Sequence, residues 1–424
     1  MRNAEMTGNY YADLHIHVGA NEDGRWVKIP AAKGLTVRNI LREASTRKGL
    51  DVIGIADSLS PLVQKDLCRL AASGELAELP GGGYSWRGRL TVILGGEVET
   101  REKGGGLAHS LLFLPTLAQM RELSDELSLH IKNINMSSQN AHMDLRSLYA
   151  LARGHGAKII PAHIFTPFKS VYGNCARRMA MLFDGEAPGI SAVELGLSAD
   201  SYMADRIEEL REITYLANSD AHSPQNIGRE FTALNISGAV NFANIFAAIE
   251  GKKGKVAMLY GLHPALGKYY LTRCAACGAE ADYQREKCPL CGGRVVRGVK
   301  QRVDEIADCP EGTFPRRQPG YRYHFPLSEL PGVGAKALQK VYCGKLTDIE
   351  LMYKSDARQV KELLGERILA IIEKAVGQKL RIFGGGAGRY GYVIIEKKKS
   401  EALRQPSQTA TFAMAPFNGQ EDGF

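Results

Sequence analysis

Tyr10-Tyr11-Ala12-Asp13-Leu14-His15-Ile16-His17 alternates as a β-strand does, so His15 and His17 share one face, about 7 Å apart along the chain, while Leu14 and Ile16 share the other. Two imidazoles so placed can converge on one ion. Other strand-like runs end in side chains of the same chemistry. Val52 to Ala56 leads into Asp57, Leu90 to Gly96 into Glu97, Lys158 to Ala162 into His163, and Ile213 to Ser219 into Asp220-Ala221-His222; His109 opens the run that ends at Leu114. Five imidazoles and three carboxylates exceed the roughly four ligands of a single zinc and suit two or three divalent ions, which activate water and neutralise a departing oxyanion. Glu97, His163 and Asp220 form the expected catalytic set, with Glu97 as the bridging carboxylate and Glu99, on the same strand face, supporting it.

Four of the eight cysteines form a second constellation. Cys274-x-x-Cys277 and Cys288-x-x-Cys291 have the spacing of a closed tetrathiolate site for one structural zinc, which folds a knuckle too small to hold itself together. Cys68, Cys175, Cys309 and Cys343 are scattered and do not suggest a disulfide framework.

Three stretches are candidates for contact with nucleic acid. The loop Ile164 to Gly173 follows His163 directly, so its aromatics, Tyr172 among them, and Lys169 are expected at the site mouth, where an unstacked base and its phosphate would be held; packing of the loop on the barrel is the alternative. Pro331-Gly332-Val333-Gly334-Ala335-Lys336 reads either as a hairpin whose glycines Gly332 and Gly334 let backbone N–H groups approach a phosphate, with Lys336 adding charge, or as an ordinary glycine-containing helix start. The run Gly384 to Gly388, ending in Arg389-Tyr390, reads either as backbone laid along a phosphate chain with a stacked aromatic or as a linker. Charge agrees with this division: residues 1–250 hold 25 Lys and Arg against 28 Asp and Glu, whereas residues 251–424 hold 29 against 18. The basic second half suits a polyanion.

His15-Ile16-His17, Asp57, Gly96-Glu97, His109, His163 and Asp220-Ala221-His222 resemble, in this order, the motifs of the PHP (polymerase and histidinol phosphatase) metallo-phosphoesterases. That resemblance implies a distorted (β/α)7 barrel holding two or three divalent ions (zinc, manganese or magnesium). Where the family often has a histidine after the second-motif aspartate, this chain has Ser58, which leaves the third ion open. The barrel, the knuckle, the glycine hairpin and the Gly-Arg-Tyr stretch together resemble the endonuclease Q family of PHP enzymes up to about residue 396. What that implies is a DNA-repair endonuclease cutting 5′ to deaminated bases (uracil, hypoxanthine, xanthine) and abasic sites. A PHP phosphatase or exonuclease on another phosphoester, and a metal-stabilised damage-binding module without catalysis, stay open.

The elements that must position these residues follow from length and pattern. A chain of 424 residues accommodates an α/β PHP barrel over 1–262, a four-cysteine zinc domain over 263–300, a helical DNA-binding domain over 301–396 and a disordered tail over 397–424. Strands alternating with helices predict a parallel barrel sheet, with Thr36 capping the first helix. Pro80-Gly81-Gly82-Gly83-Tyr84-Ser85-Trp86 lacks the Lys-Ser/Thr ending of a phosphate loop and reads as a mobile turn. No apolar run is long enough for a membrane span, so a cytoplasmic, nucleoid-associated location is expected, without a membrane partner. Gln408 to Phe412 distantly resembles a sliding-clamp peptide.

Overall fold

The computed structural model describes residues 7–184, 189–311 and 319–394. The expected tail with its clamp-like peptide lies outside the described residues. In chain order the first half runs β1 (Thr7–Ile16), α1 (Val37–Glu43), β2 (Val52–Ile55), α2 (Pro61–Ala72), β3 (Leu76–Glu78), β4 (Tyr84–Trp86), β5 (Leu90–Arg101), β6 (Leu107–Leu114), α3 (Leu117–Leu127), α4 (Leu145–Gly154), β7 (Lys158–Pro161), β8 (Ala192–Glu194), α5 (Ser201–Ala204), β9 (Thr214–Leu216), β10 (Phe231–Ser237), α6 (Phe242–Ile249) and β11 (Gly254–Gly261).

Seven of these strands close a distorted barrel. β1, β2, β5, β6 and β7 pair in that order, and β8 pairs with β9. Two joints complete the ring. The Ile164 N–H donates to Glu194 O (3.0 Å), while Ala221, just past β9, accepts from His17 N (3.1 Å) and donates to His15 O (3.3 Å). The expectation of an all-parallel sheet is corrected at β6, which runs antiparallel to both neighbours because a short turn after Arg101, with no crossover helix, reverses the chain. His109, near the start of β6, therefore meets residues that end the parallel strands.

The barrel core is apolar because its interior strands are covered on both faces; every residue of β2 is buried. Thr36 caps α1 as expected, accepting from Asn39 N–H, and Pro61 opens α2 where no backbone donor is needed. Tyr84–Trp86 is a strand paired to β5, and the turn before it is pinned: Gly83 N–H donates to Pro115 O (2.8 Å). A side chain on Gly82 would meet Pro115 Cβ at 2.4 Å, so the reading of a mobile turn does not fit. β10 and β11 extend the sheet antiparallel beyond β1.

The second half packs back on the first. β12 (Arg273–Cys274) and β13 (Val295–Val296) frame the knuckle, and α7 (Val299–Ile306) buries Val299, Val303 and Ile306 in the barrel core. β14 (Gly320–Tyr323) adds a parallel strand to β11. Helices α8 (Ala335–Cys343), α9 (Asp348–Tyr353), α10 (Ala357–Leu364) and α11 (Glu366–Val376) enclose a separate core around Leu327, Val341, Leu351 and Ile372. β15 (Arg381–Phe383) and β16 (Tyr392–Ile394) form a closing hairpin. No helix among the described residues is long and apolar enough to cross a membrane.

Candidate metal centre and its approaches

The barrel brings the eight candidate ligands to one end. Ligand atoms of His15, His17 and Asp220 lie within 4.8 Å of one another, as do those of Glu97, His109 and His163. Glu97 joins the two trios: Oε1 is 2.8 Å from His109 Nδ1, 3.3 Å from His163 Nε2 and 3.4 Å from His15 Nε2, and Oε2 is 3.5 Å from His17 Nε2. Asp57 and His222 stand beside the trios. Asp57 lies behind His17, with Oδ1 3.0 Å from its Nδ1 and Oδ2 accepting from Val18 N–H (2.6 Å). The His222 ring sits 4.7 Å from that of His17, and its Nδ1 is 2.9 Å from Asp220 O.

The backbone is forced at two of these positions. His163 and Asp220 have φ of 31° and 44°, in the left-handed region that side chains rarely adopt and that recurs at functional sites. Gly196 makes room for the first, since a Cβ there would stand 2.7 Å from that of His163.

Several supporting groups escaped the sequence reading. Glu194, fully buried at the end of β8, places Oε2 2.9 Å from His15 Nδ1, and Asn218 binds the same oxygen at 3.1 Å. Glu194 ends an apolar strand just as Glu97 does, so the signal was available. Lys28 Nζ donates to His17 Nε2 (3.0 Å), Ser138 Oγ (2.7 Å) and Glu97 Oε2 (3.3 Å), and Ser138 Oγ also bonds Glu97 Oε2. Glu99 meets His109 Nε2 (3.3 Å) and Lys169 Nζ (2.9 Å).

The donor set fits divalent ions. His15 Nε2 and His17 Nε2 face each other at 3.1 Å, an arrangement that two neutral lone pairs tolerate only with a cation or a proton between them. Burial alone would raise the Glu97 pKa, but the His109 imidazole and the Lys28 ammonium outweigh it and hold the carboxylate well below its usual range. Burial pulls His222 down to about 4, so its ring is neutral and free to ligate. His15 is pushed the other way: desolvation lowers it, and Glu194 and Asp220 raise it well above the usual value, so an ion binding there displaces a proton. In the knuckle, the four cysteine sulfurs also lie within 4.8 Å of one another, with Cys274 Sγ 3.5 Å from Cys291 Sγ and Cys277 Sγ 3.7 Å from Cys288 Sγ. A tetrahedral Zn–S length of about 2.3 Å requires sulfur separations of about 3.8 Å.

The expected nucleic-acid residues fare differently. Tyr172 is fully buried, stacked on Phe165 (5.4 Å) with its hydroxyl on Glu209 (2.8 Å), so it packs the loop and is corrected from the site mouth. Phe168 and Lys169 are the exposed members of that loop. Gly332, at φ 87°, and Gly334 have open space where a side chain would be, and Lys336 follows in the first turn of α8. The glycine run is neither linker nor open track. Gly385 N–H donates to Ala265 O, Gly388 N–H to Lys268 O and Gly391 N–H to Leu266 O, and a Cβ on Gly391 would stand 2.2 Å from Ala265 O. Arg389 reaches Ala276 O (3.4 Å) in the knuckle, and Tyr390 OH meets Arg229 Nη1 at 3.2 Å. Between the loop after His163 and the knuckle lies a cleft of about 690 Å³, lined by Phe165 and Phe168 and by Arg285, Arg294, Arg297 and Arg302.

Fold and donor set together define a metal-dependent hydrolase built on a PHP-type barrel. No family model matches the chain. The uncharacterized protein YqxK of Bacillus subtilis is 41% identical over 387 residues, covering 90% of this chain and 98% of the relative. The crystal structure of the lesion-specific endonuclease PfuEndoQ from Pyrococcus furiosus superposes with a TM-score of 0.78 at 32% identity, over 93% of this chain and 98% of that one. A structure of endonuclease Q in complex with a 27-mer duplex substrate, with an abasic lesion at the active site, gives 0.80 at 32% identity, over 94% and 100%. The chain belongs to the endonuclease Q family.

Proposed function

We propose that this chain is a DNA-repair endonuclease that cuts duplex DNA on the 5′ side of deaminated bases (uracil, hypoxanthine, xanthine) and abasic sites, and works at the nucleoid. The observation that carries this reading is Glu97, buried where it joins the two ligand trios, with an arginine-rimmed cleft beside the loop that follows His163. Two divalent ions, zinc, manganese or magnesium, would make water nucleophilic near neutral pH and neutralise the leaving oxyanion. His15, His17, Glu97, His109, His163 and Asp220 would hold them. Glu194, Asp57 and Glu99 orient the His15, His17 and His109 rings by binding the second nitrogen of each or facing it.

The cleft supports the DNA-damage reading over that of a small-phosphoester phosphatase. Its aromatic floor offers a stacking face, and Arg294 lies over Phe168 at 5.7 Å, as suits an unstacked nucleotide and its phosphate. Lys169, exposed next to Phe168, pairs with Glu99 beside the barrel site. Gly332, Gly334 and Lys336 would hold phosphates at a distance without reading sequence. One zinc in the tetrathiolate site would fix the knuckle that forms the far wall of the cleft.

The test is a set of end-labelled duplexes that differ by one uracil, hypoxanthine, xanthine or abasic site, each incubated with manganese, magnesium or zinc. Incision 5′ of the lesion, absent on the intact duplex and after chelation, is expected. Hydrolysis of free phosphomonoesters without lesion-dependent incision would replace the reading with the phosphatase one.

A further inference from the structure

Lys28 belongs to none of the recognised motifs, yet its ammonium stands among the candidate ligands. It lies in the loop between β1 and α1, and that loop is fixed from several sides. Lys28 N–H donates to Gly19 O (3.2 Å), Ala31 N–H to Lys28 O (3.1 Å), and Ser137 N–H to Val27 O (2.7 Å). The side chain is 11% exposed, so its position reflects packing and three specific bonds, to His17 Nε2, Glu97 Oε2 and Ser138 Oγ. Ser58, which stands where PHP chains often carry a further histidine, is buried and spends its hydroxyl on Ile55 O (2.9 Å). Ser58 thus brings no imidazole to the site, while Lys28 brings one fixed positive charge.

We infer that Lys28 is a catalytic residue whose ammonium supplies the positive charge a third ion would bring, donating to a non-bridging oxygen of the scissile phosphate. The inference rests on the phosphodiesterase reading above. If an ion took the single lone pair of His17 Nε2, one ammonium proton would lose its acceptor, while Ser138 Oγ and the remaining lone pair of Glu97 Oε2 would keep the other two. A buried ammonium does not leave a proton unpaired, and the freed N–H would turn to the anionic group that arrives with the substrate. No proton leaves Lys28. It stabilises charge that grows on the phosphate oxygens, in a site shielded from water where such a donor counts most.

The experiment compares full-length wild type, Lys28→Met and Lys28→Arg on an abasic duplex, with metal content per chain read by elemental analysis. The wild type and Lys28→Met should both hold about three ions, two in the barrel and one in the knuckle. In Lys28→Met, kcat should fall by about 10²-fold, as for loss of one oxyanion donor, with KM changed by less than about threefold. Lys28→Arg should retain more turnover than Lys28→Met. Wild-type kcat in Lys28→Met, loss of a barrel ion in that variant, or a fourth ion in the wild type would each overturn the inference while leaving the endonuclease reading intact. That reading fails separately if the wild type leaves the abasic duplex uncut with every metal.

Discussion

Arg229 and Tyr390, separated by 161 positions in sequence, meet at 3.2 Å through a guanidinium nitrogen and a phenol oxygen. The rest of the buried guanidinium faces the barrel site, donating to Ser219 O (2.8 Å) and Asp220 O (3.2 Å). A candidate ligand with strained backbone is therefore braced from behind by a residue that the C-terminal glycine loop holds in turn.

Tyr390→Phe tests the brace. It removes one hydrogen bond, worth about 1 kcal/mol, and leaves the ring. Affinity of the barrel site for its ions should weaken by about fivefold, with the knuckle zinc unchanged, in a metal titration. Equal affinity in both proteins would show that the contact does not steady Asp220.

His163→Ala and Asp220→Ala should each lower the barrel metal content and abolish incision while leaving duplex affinity within about threefold, because neither residue lies on the phosphate-holding surfaces. Near-normal turnover in His163→Ala would remove that residue from the catalytic set.

The pair Cys274→Ser with Cys277→Ser should cost about one equivalent of zinc and weaken DNA binding, while the barrel stays folded, since two of four thiolates are gone from a closed site. Unchanged zinc on elemental analysis would refute the tetrathiolate site.

How much of this was legible follows from where each signal resides. The ligands could be read because each stands at one end of an apolar run, His109 at the start of its run and the others at or after the close of theirs, and the period of two puts His15 and His17 on one face. The antiparallel β6 was also marked, by Lys103-Gly104-Gly105-Gly106 between two strand-like runs, a hairpin signal. Lys28 left no such trace. It sits in a polar loop, and Ser138, one of its partners, is 110 positions away. Tyr172 misled because a loop aromatic looks the same buried or exposed until its partner Glu209, 37 positions on, is in place. The glycine run was ambiguous for the same reason: the need for glycine at Gly385 and Gly386 comes from Gly267 O and Leu271 O, which approach from another part of the chain.

Lys336→Ala should weaken binding to damaged and intact duplexes alike and lower the slope of log affinity against log salt by about 1, leaving lesion discrimination untouched. Loss of lesion preference at constant slope would move Lys336 from phosphate holding to damage reading.

The last prediction concerns acid stability and the joint between the two cores. His324 is buried between Phe231 and Tyr353, with ring centroids 5.2 and 5.8 Å away, and its Nδ1 lies 2.6 Å from the Tyr353 hydroxyl. Burial, with the Lys48 charge second, pulls the imidazole down to about 3. An unfolded histidine titrates near 6.5, so as pH falls the unfolded chain takes up this proton first. Stability from the neutral buried ring is therefore whole above about pH 6.5 and is lost as pH falls toward 3, at up to about 1.4 kcal/mol per pH unit. Most carboxylates titrate below about pH 5, and Asp13, pushed by burial up to about 6, titrates alike in wild type and a His324 variant, so the difference between the two over the interval from 6.5 to 5 reports His324, at about 2 kcal/mol. His324→Gln keeps a polar partner for Tyr353 and cannot titrate. The variant should start less stable at pH 7 but lose about 2 kcal/mol less than wild type on acidification to pH 5, in denaturant titrations at both pH values. Parallel losses in the two proteins would assign the acid sensitivity to other groups.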